Sequence, residues 1–150
     1  MSKIANHTTQ VPVARTVGEI TEILVAHGAR SVNIEYDQMH AKAVRFEITR
    51  PEFHMAFELP VDVKATHKAL NEARTHRMKS IDIDQARRVA WRVVRDWLRA
   101  QLALIEIGAA KIEQVMLPYA ITDDGTTVYQ RMLAAKFSSL QALPPAGGAA

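Results

Sequence analysis

Apolar positions first recur at helical spacing: Val17, Ile20, Ile23, Leu24 and His27 fall on one side of a run that Gly28 ends. Thr16, with Glu19 three residues on, has the form of a capping box opening that helix. From Ser31 the period changes to two. Val32, Ile34 and Tyr36 alternate with Ser31, Asn33 and Glu35; Val44, Phe46 and Ile48 with Arg45, Glu47 and Thr49; Phe53, Met55, Phe57 and Leu59 with His54, Ala56 and Glu58. This alternation predicts three half-buried strands. The connections, Asp37 to His40 and Arg50 to Glu52, suit hairpins and therefore an antiparallel meander. Pro60 closes the third strand, and 61–73 predicts a short helix with Val63, His67 and Leu70 inward and Lys64 and Lys68 outward.

The longest helical pattern follows. At 100° per residue, Ala86, Val89, Ala90, Trp91, Val93, Val94, Trp97, Leu98, Ala100, Leu102, Leu104, Ile105 and Ile107 occupy an arc of about 220°. A surface helix shows a stripe of ~100°, so this one is expected to be covered on more than one side. Asp84 fits as its N-cap and Gly108 as the residue beyond its end, with Asp82 as a turn residue. Ile112, Val115 and Met116 then predict a short amphipathic turn stopped by Pro118; Asp123, Asp124 and Gly125 a turn; and Thr127 with Gln130 the cap of a final helix carrying Val128, Met132, Leu133 and Phe137. The polar, aperiodic residues 1–10 read as a flexible arm and the Pro/Gly/Ala-rich residues 143–150 as a disordered tail, leaving 11–142 as one globular domain. The expected fold is α+β: a helix, a three-stranded antiparallel meander, then three to four helices packed on one face of the sheet.

Composition narrows the function classes. The 48% hydrophobic and 23% charged fractions are those of an ordinary globular protein. No apolar run approaches the ~18 residues of a membrane span, and the first ten residues lack a signal-peptide block, so a cytoplasmic location is expected. With no cysteine there are no disulfides, thiolate nucleophiles or cysteine-held zinc. The P-loop, dinucleotide-binding and serine-elbow patterns are all missing, no catalytic motif is recognisable, and no cofactor is expected. None of the six histidines lies four residues from another and no H-E-x-x-H occurs, so no metal site is expected. His54, His67 and His76 with an aspartate remain the set that folding alone could bring together.

Charge supplies the one positive signal. The net charge is +3, yet 64–99 holds ten Lys/Arg against four acids, +6, leaving −3 for the rest. Arg88, Arg92, Arg95 and Arg99 form a row along roughly 16 Å of the long helix. Trp91 borders it on the helical wheel, whereas Trp97 lies amid the apolar arc. Such a row suits the DNA or RNA backbone, Trp91 offers a stacking surface, and Lys64, Lys68, Arg74, Arg77 and Lys79 could widen the contact. The bland alternative makes the row the solvated face of a buried helix and Trp91 a residue at the rim of the core. A further alternative is a protein-interaction or self-assembling module, a homo-oligomer or partner-binding chain, using the wide apolar arc or an open sheet edge.

The block AWRVVRDWLRAQLALIE at 90–106 and VMLPY at 115–119 resemble an uncharacterised group of short bacterial and phage or prophage proteins. Its pattern is a first helix ending in residues like HGAR, a Phe57-x-Leu59-Pro60 step, the A-W-R…D-W…A-Q-L-A…I-E block and an LPY box, spanning about residues 15–135. These motifs are silent about chemistry. The resemblance implies carriage by phages or mobile elements, where small basic proteins handle DNA or bind other proteins. The order helix, meander, helix is also similar to the core of phage single-strand annealing proteins, as fold-level analogy alone.

Overall fold

The computed structural model describes residues 3–141. Its elements are α1 (Val13–Ala26), β1 (Ala29–Asp37), β2 (His40–Arg50), β3 (Phe53–Leu59), α2 (Val63–Glu72), α3 (Ile83–Glu106), α4 (Ile112–Met116), a 3-10 turn at Leu117–Tyr119 and α5 (Val128–Ala134). The fold is α+β, with one sheet in the antiparallel order β1-β2-β3. The tail at 143–150 lies outside the described residues.

Alternation places Val32 opposite Phe46 and Ile34 opposite Val44 on β1–β2, then Phe46 opposite Phe57 and Val44 opposite Leu59 on β2–β3. Phe46 and Phe57 stack with ring centroids 5.0 Å apart. Tyr36 was expected on this inner face, but a register shift between Glu35 and Tyr36 breaks the alternation, and Tyr36 is 64% exposed near the hairpin tip. At that tip Gln38 and Met39 take φ of 45° and 69° without a glycine to relieve the left-handed backbone. Backbone from the far end of the chain meets β3: Ile121 N–H donates to Ala56 O at 2.8 Å, and Ala120 bridges Phe57.

The first helix starts one turn earlier than its apparent capping box. Pro12 occupies the N-cap position, which tolerates a residue without an N–H, and no side chain caps the end. Thr16 therefore sits inside α1, buried with Val17, Ile20 and Leu24. Gly28 has φ of +91° after the helix, and a Cβ there would meet the Arg50 guanidinium at 3.2 Å, so both backbone and space favour glycine.

The cap of α3 is Asp82, not Asp84: the Asp82 carboxylate accepts from Gln85 N–H at 2.7 Å. Asp84 is already in the first turn, where it meets the positive end of the helix dipole and pairs with Arg87. Gly108 follows the last turn at φ +73°, as expected. Asp62 caps α2, and Thr127 with Gln130 forms the expected capping box of α5.

α1 and α3 supply the side chains that cover the inner face of the sheet, forming a core with Ile20, Leu24, Phe46, Ile48, Phe57, Leu59, Trp91, Leu98, Leu102 and Met116. α3 also packs against α2 through a smaller cluster of Leu70, Ala86 and Val89, closed by Ile4, Val63 and Ile81. It is thus covered from more than one side, although the 220° arc overstated the cover: Val93, Leu104 and Ile107 are exposed. The segment expected to be a flexible arm folds against this helix. Ile4 enters the small cluster, and His7 O and Thr9 O accept from Gln85 Nε2 at 3.1 and 3.0 Å.

The cap assignment is testable by urea denaturation. Asp82→Ala removes a side-chain acceptor and is expected to cost about 1 kcal/mol, whereas Asp84→Ala, which keeps the cap, is expected to cost about 0.5 kcal/mol or less. The opposite ranking would return the cap to Asp84.

Candidate nucleic-acid interface

Cations can grip phosphate only where their guanidinium or ammonium groups reach solvent unpaired. Three of the four arginines of the row along α3 fail this condition. Arg92 Nη1 donates to Glu19 Oε2 at 2.7 Å and to Thr16 Oγ1 at 3.3 Å, and its side chain is only 14% exposed. Arg95, 13% exposed, places Nε 2.9 Å from the same Glu19 oxygen and Nη1 2.7 Å from Asp96. The Nε contact is an ion pair without hydrogen-bond alignment, since that N–H has no aligned acceptor. Arg88 donates twice to Gln85 Oε1, at 3.0 and 2.6 Å. Only Arg99 is exposed with no partner among the described residues.

The row is consequently a clasp. Glu19 of α1 lies between two guanidiniums of α3, Arg15 approaches it at 3.5 Å, and Asn6 donates to Asp96 at 2.8 Å from the N-terminal segment. Burial alone would push the Glu19 carboxyl up, but the hydrogen bond from Arg92 and the charges of Arg92, Arg95 and Arg15 outweigh it and hold the group below its ordinary value. Sequence reasoning missed Thr16 and Glu19 as partners of the row because their spacing also satisfies a capping box. Asn6 and Gln85 carried no local signal.

Of the two tryptophans, Trp91 departs from its expected place. Trp91 does not border an open basic surface: it is 0% exposed, lies in the core and donates from Nε1 to Ala41 O at 3.3 Å. A wheel gives its angle but not its cover, and α1 and the sheet close that flank. Stacking on a base would require leaving the core. Trp97 is half-buried, edge-on to Tyr119 with centroids 5.2 Å apart.

The remaining cations lie on α2 and the loop after it. Lys64, Arg77 and Lys79 are exposed and unpaired among the described residues. Lys68 is 3.8 Å from Glu72 with both side chains largely in solvent, a pairing of little strength. Arg74 instead serves the loop, donating from Nη1 to Met78 O at 2.9 Å. The far end is fixed to α2: Asn71 Oδ1 accepts from Ile81 N–H at 2.9 Å, and Ile81 O receives Asn71 Nδ2 at 3.2 Å and His67 Nε2 at 2.8 Å.

Elsewhere the surface is less suited to an anion. On the outer sheet face Arg45 is held between Glu35 at 2.8 Å and Glu58 at 2.5 Å, a mixed-sign pattern. His54 meets Thr49 Oγ1, and among the described residues no group of three or more His, Asp or Glu side chains is placed to hold a metal ion. No helix among them is long and apolar enough to cross a membrane. No family model, curated protein or solved structure matches the chain.

The clasp makes a prediction about acid. A carboxyl held below the ordinary glutamate value of about 4.3 contributes stability that is present above that pH and lost as pH falls through the lowered folded value. Glu19→Gln is expected to cost about 1–2 kcal/mol near neutral pH, between the surface and buried limits for ion pairs. Urea denaturation across a pH series should show the variant and wild-type curves separated near neutrality and converging as pH falls through the lowered folded value. A separation independent of pH would remove the charge of Glu19 from the account.

Proposed function

We propose that this chain is a nucleic-acid-binding accessory protein of the phage or mobile-element type, gripping the phosphate backbone through α2 and the loop that follows it. One observation carries the reading: 64–79 holds five Lys/Arg against the single acid Glu72, on a helix face and a loop closed internally by Arg74 to Met78 and tied to α2 at Ile81. Pinning lowers the ordering cost of binding, so point charges presented this way retain more of their attraction. Arg99 remains an isolated cation on the row of α3, where Arg92 and Arg95 are held by Glu19 and Arg88 by Gln85, and it lies apart from the α2 surface.

The test is fluorescence anisotropy with labelled DNA at two salt concentrations. Lys64→Glu with Arg77→Glu and Lys79→Glu is expected to weaken binding at least about tenfold at low salt, and Arg99→Gln less than about threefold. Wild-type affinity in the folded triple variant would end the reading. Arg92→Glu is a poor probe, because it attacks the clasp and hence stability.

A second reading, a protein-interaction or self-assembling module, is favoured by a different surface. α5 buries none of its residues fully, and Tyr129, Leu133, Phe137 and Leu140 are exposed around it together with Leu117. Light scattering over a concentration series checks it: Leu133→Ser with Phe137→Ser should dissociate any oligomer the wild-type chain forms, and a wild-type chain that stays monomeric throughout removes self-assembly.

A further inference from the structure

Which nucleic acid fits this surface follows from what its side chains can and cannot do. Between Phe57 and Trp91 the chain contains no Phe, Tyr or Trp, and those two flanking rings are both 0% exposed. Binders of single strands combine a basic track with a series of aromatic platforms on which successive bases stack. Here the loop offers a single ring, the imidazole of His76. A flexible single strand would therefore gain phosphate contacts while its bases found almost nothing to lie on.

The groups suited to reading base edges are mostly committed. Asn71 is the only Asn or Gln from 39 to 84, and its amide is spent on both backbone groups of Ile81. Arg74, one of two guanidinium forks in the region, holds Met78 O. What remains is chiefly lysine, a point charge that favours phosphate without the planar fork used to recognise guanine.

The cations stand on two adjoining elements, α2 and the loop after it. Lys64 and Lys68 stand one helical turn apart, a rise of about 6 Å. Arg77 and Lys79 span at most about 7 Å of backbone in the adjoining loop. Its closure by Arg74 to Met78 and by Asn71 to Ile81 keeps these two rows from adjusting freely to an irregular strand.

We infer that α2 and its loop engage the sugar–phosphate backbone of a double helix, without stacking on bases and without reading sequence. The inference rests on the nucleic-acid reading above and names the ligand class of that same surface. Repulsion at the margins is limited: Asp62 and Asp82 each cap a helix, and Asp84 pairs with Arg87.

The experiment measures anisotropy of the full chain with a short DNA duplex, the RNA duplex of the same sequence, each isolated strand and a second duplex of unrelated sequence. At least one duplex should bind about fivefold or more tighter than its own strands, with the two sequences within about twofold of each other. Arg77→Gln with Lys79→Gln should lower the slope of log affinity against log salt by about 2, while circular dichroism stays unchanged. Preference for DNA or RNA duplex identifies the helix form. Single strands bound as tightly as duplexes, or a tenfold sequence preference, overturn the inference while leaving the nucleic-acid reading standing if the salt slope still falls in the double variant. Absence of binding to every polymer, or a slope unmoved by the substitutions, brings down both.

Discussion

One carboxylate sets the relation between the two helices that roof the sheet. Glu19 is the common partner of Arg92 and Arg95, both largely removed from solvent, so α1 and α3 must meet where that single side chain can serve both. Removing an acceptor from partly buried guanidiniums leaves charge without compensation, a larger cost than the net worth of the pair. The apolar contacts below it, Ile20 and Leu24 from α1 with Trp91, Leu98 and Leu102 from α3, supply most of the driving force. They are non-directional and tolerate sliding better than the ion pairs do. Register therefore belongs to the clasp and stability to the seam.

Spending three arginines in this way reshapes the electrostatics. Four cations along a helix look like an exposed stripe when only that helix is considered, but Arg88, Arg92 and Arg95 are satisfied from α1 and from within α3. The unspent charge is displaced to α2 and 74–79, where local carboxylates are few. That region rests on the smaller cluster of Leu70, Ala86 and Val89, which Ile4 helps to close. The N-terminal segment thus supports the basic surface mechanically.

Features set by neighbours in the chain were legible from sequence. The three strands, α3, the Gly108 end and the Thr127–Gln130 capping box follow from periodicity and from local hydrogen-bonding chemistry. What failed depended on distant residues or on a phase that changes along an element. Thr16 and Glu19 satisfied a local motif while their real partners lay on α3. Trp91 could be placed by angle, but not by which flank a later fold would cover. Tyr36 was lost to one bulge, and Asp82 and Asp84 differ by two residues, within the usual uncertainty of a helix boundary. The cations from Lys64 to Lys79 were visible in the sequence; their advantage over the arginine row was not, because it depends on who pairs with whom.

The separation in sequence between the sheet and its roof also bears on synthesis. Phe46, Phe57 and Leu59 are made before Trp91, Leu98 and Leu102, which complete their cover. At roughly 5–20 residues per second, a nascent chain holds that apolar face only partly sheltered by α1 for a few seconds while α2 and most of α3 are still being translated. The hairpins can pair early, but the face they create stays adhesive until the third helix arrives. Production of this protein is therefore expected to be sensitive to elongation speed and temperature, and to chaperone supply, well before the finished fold is challenged.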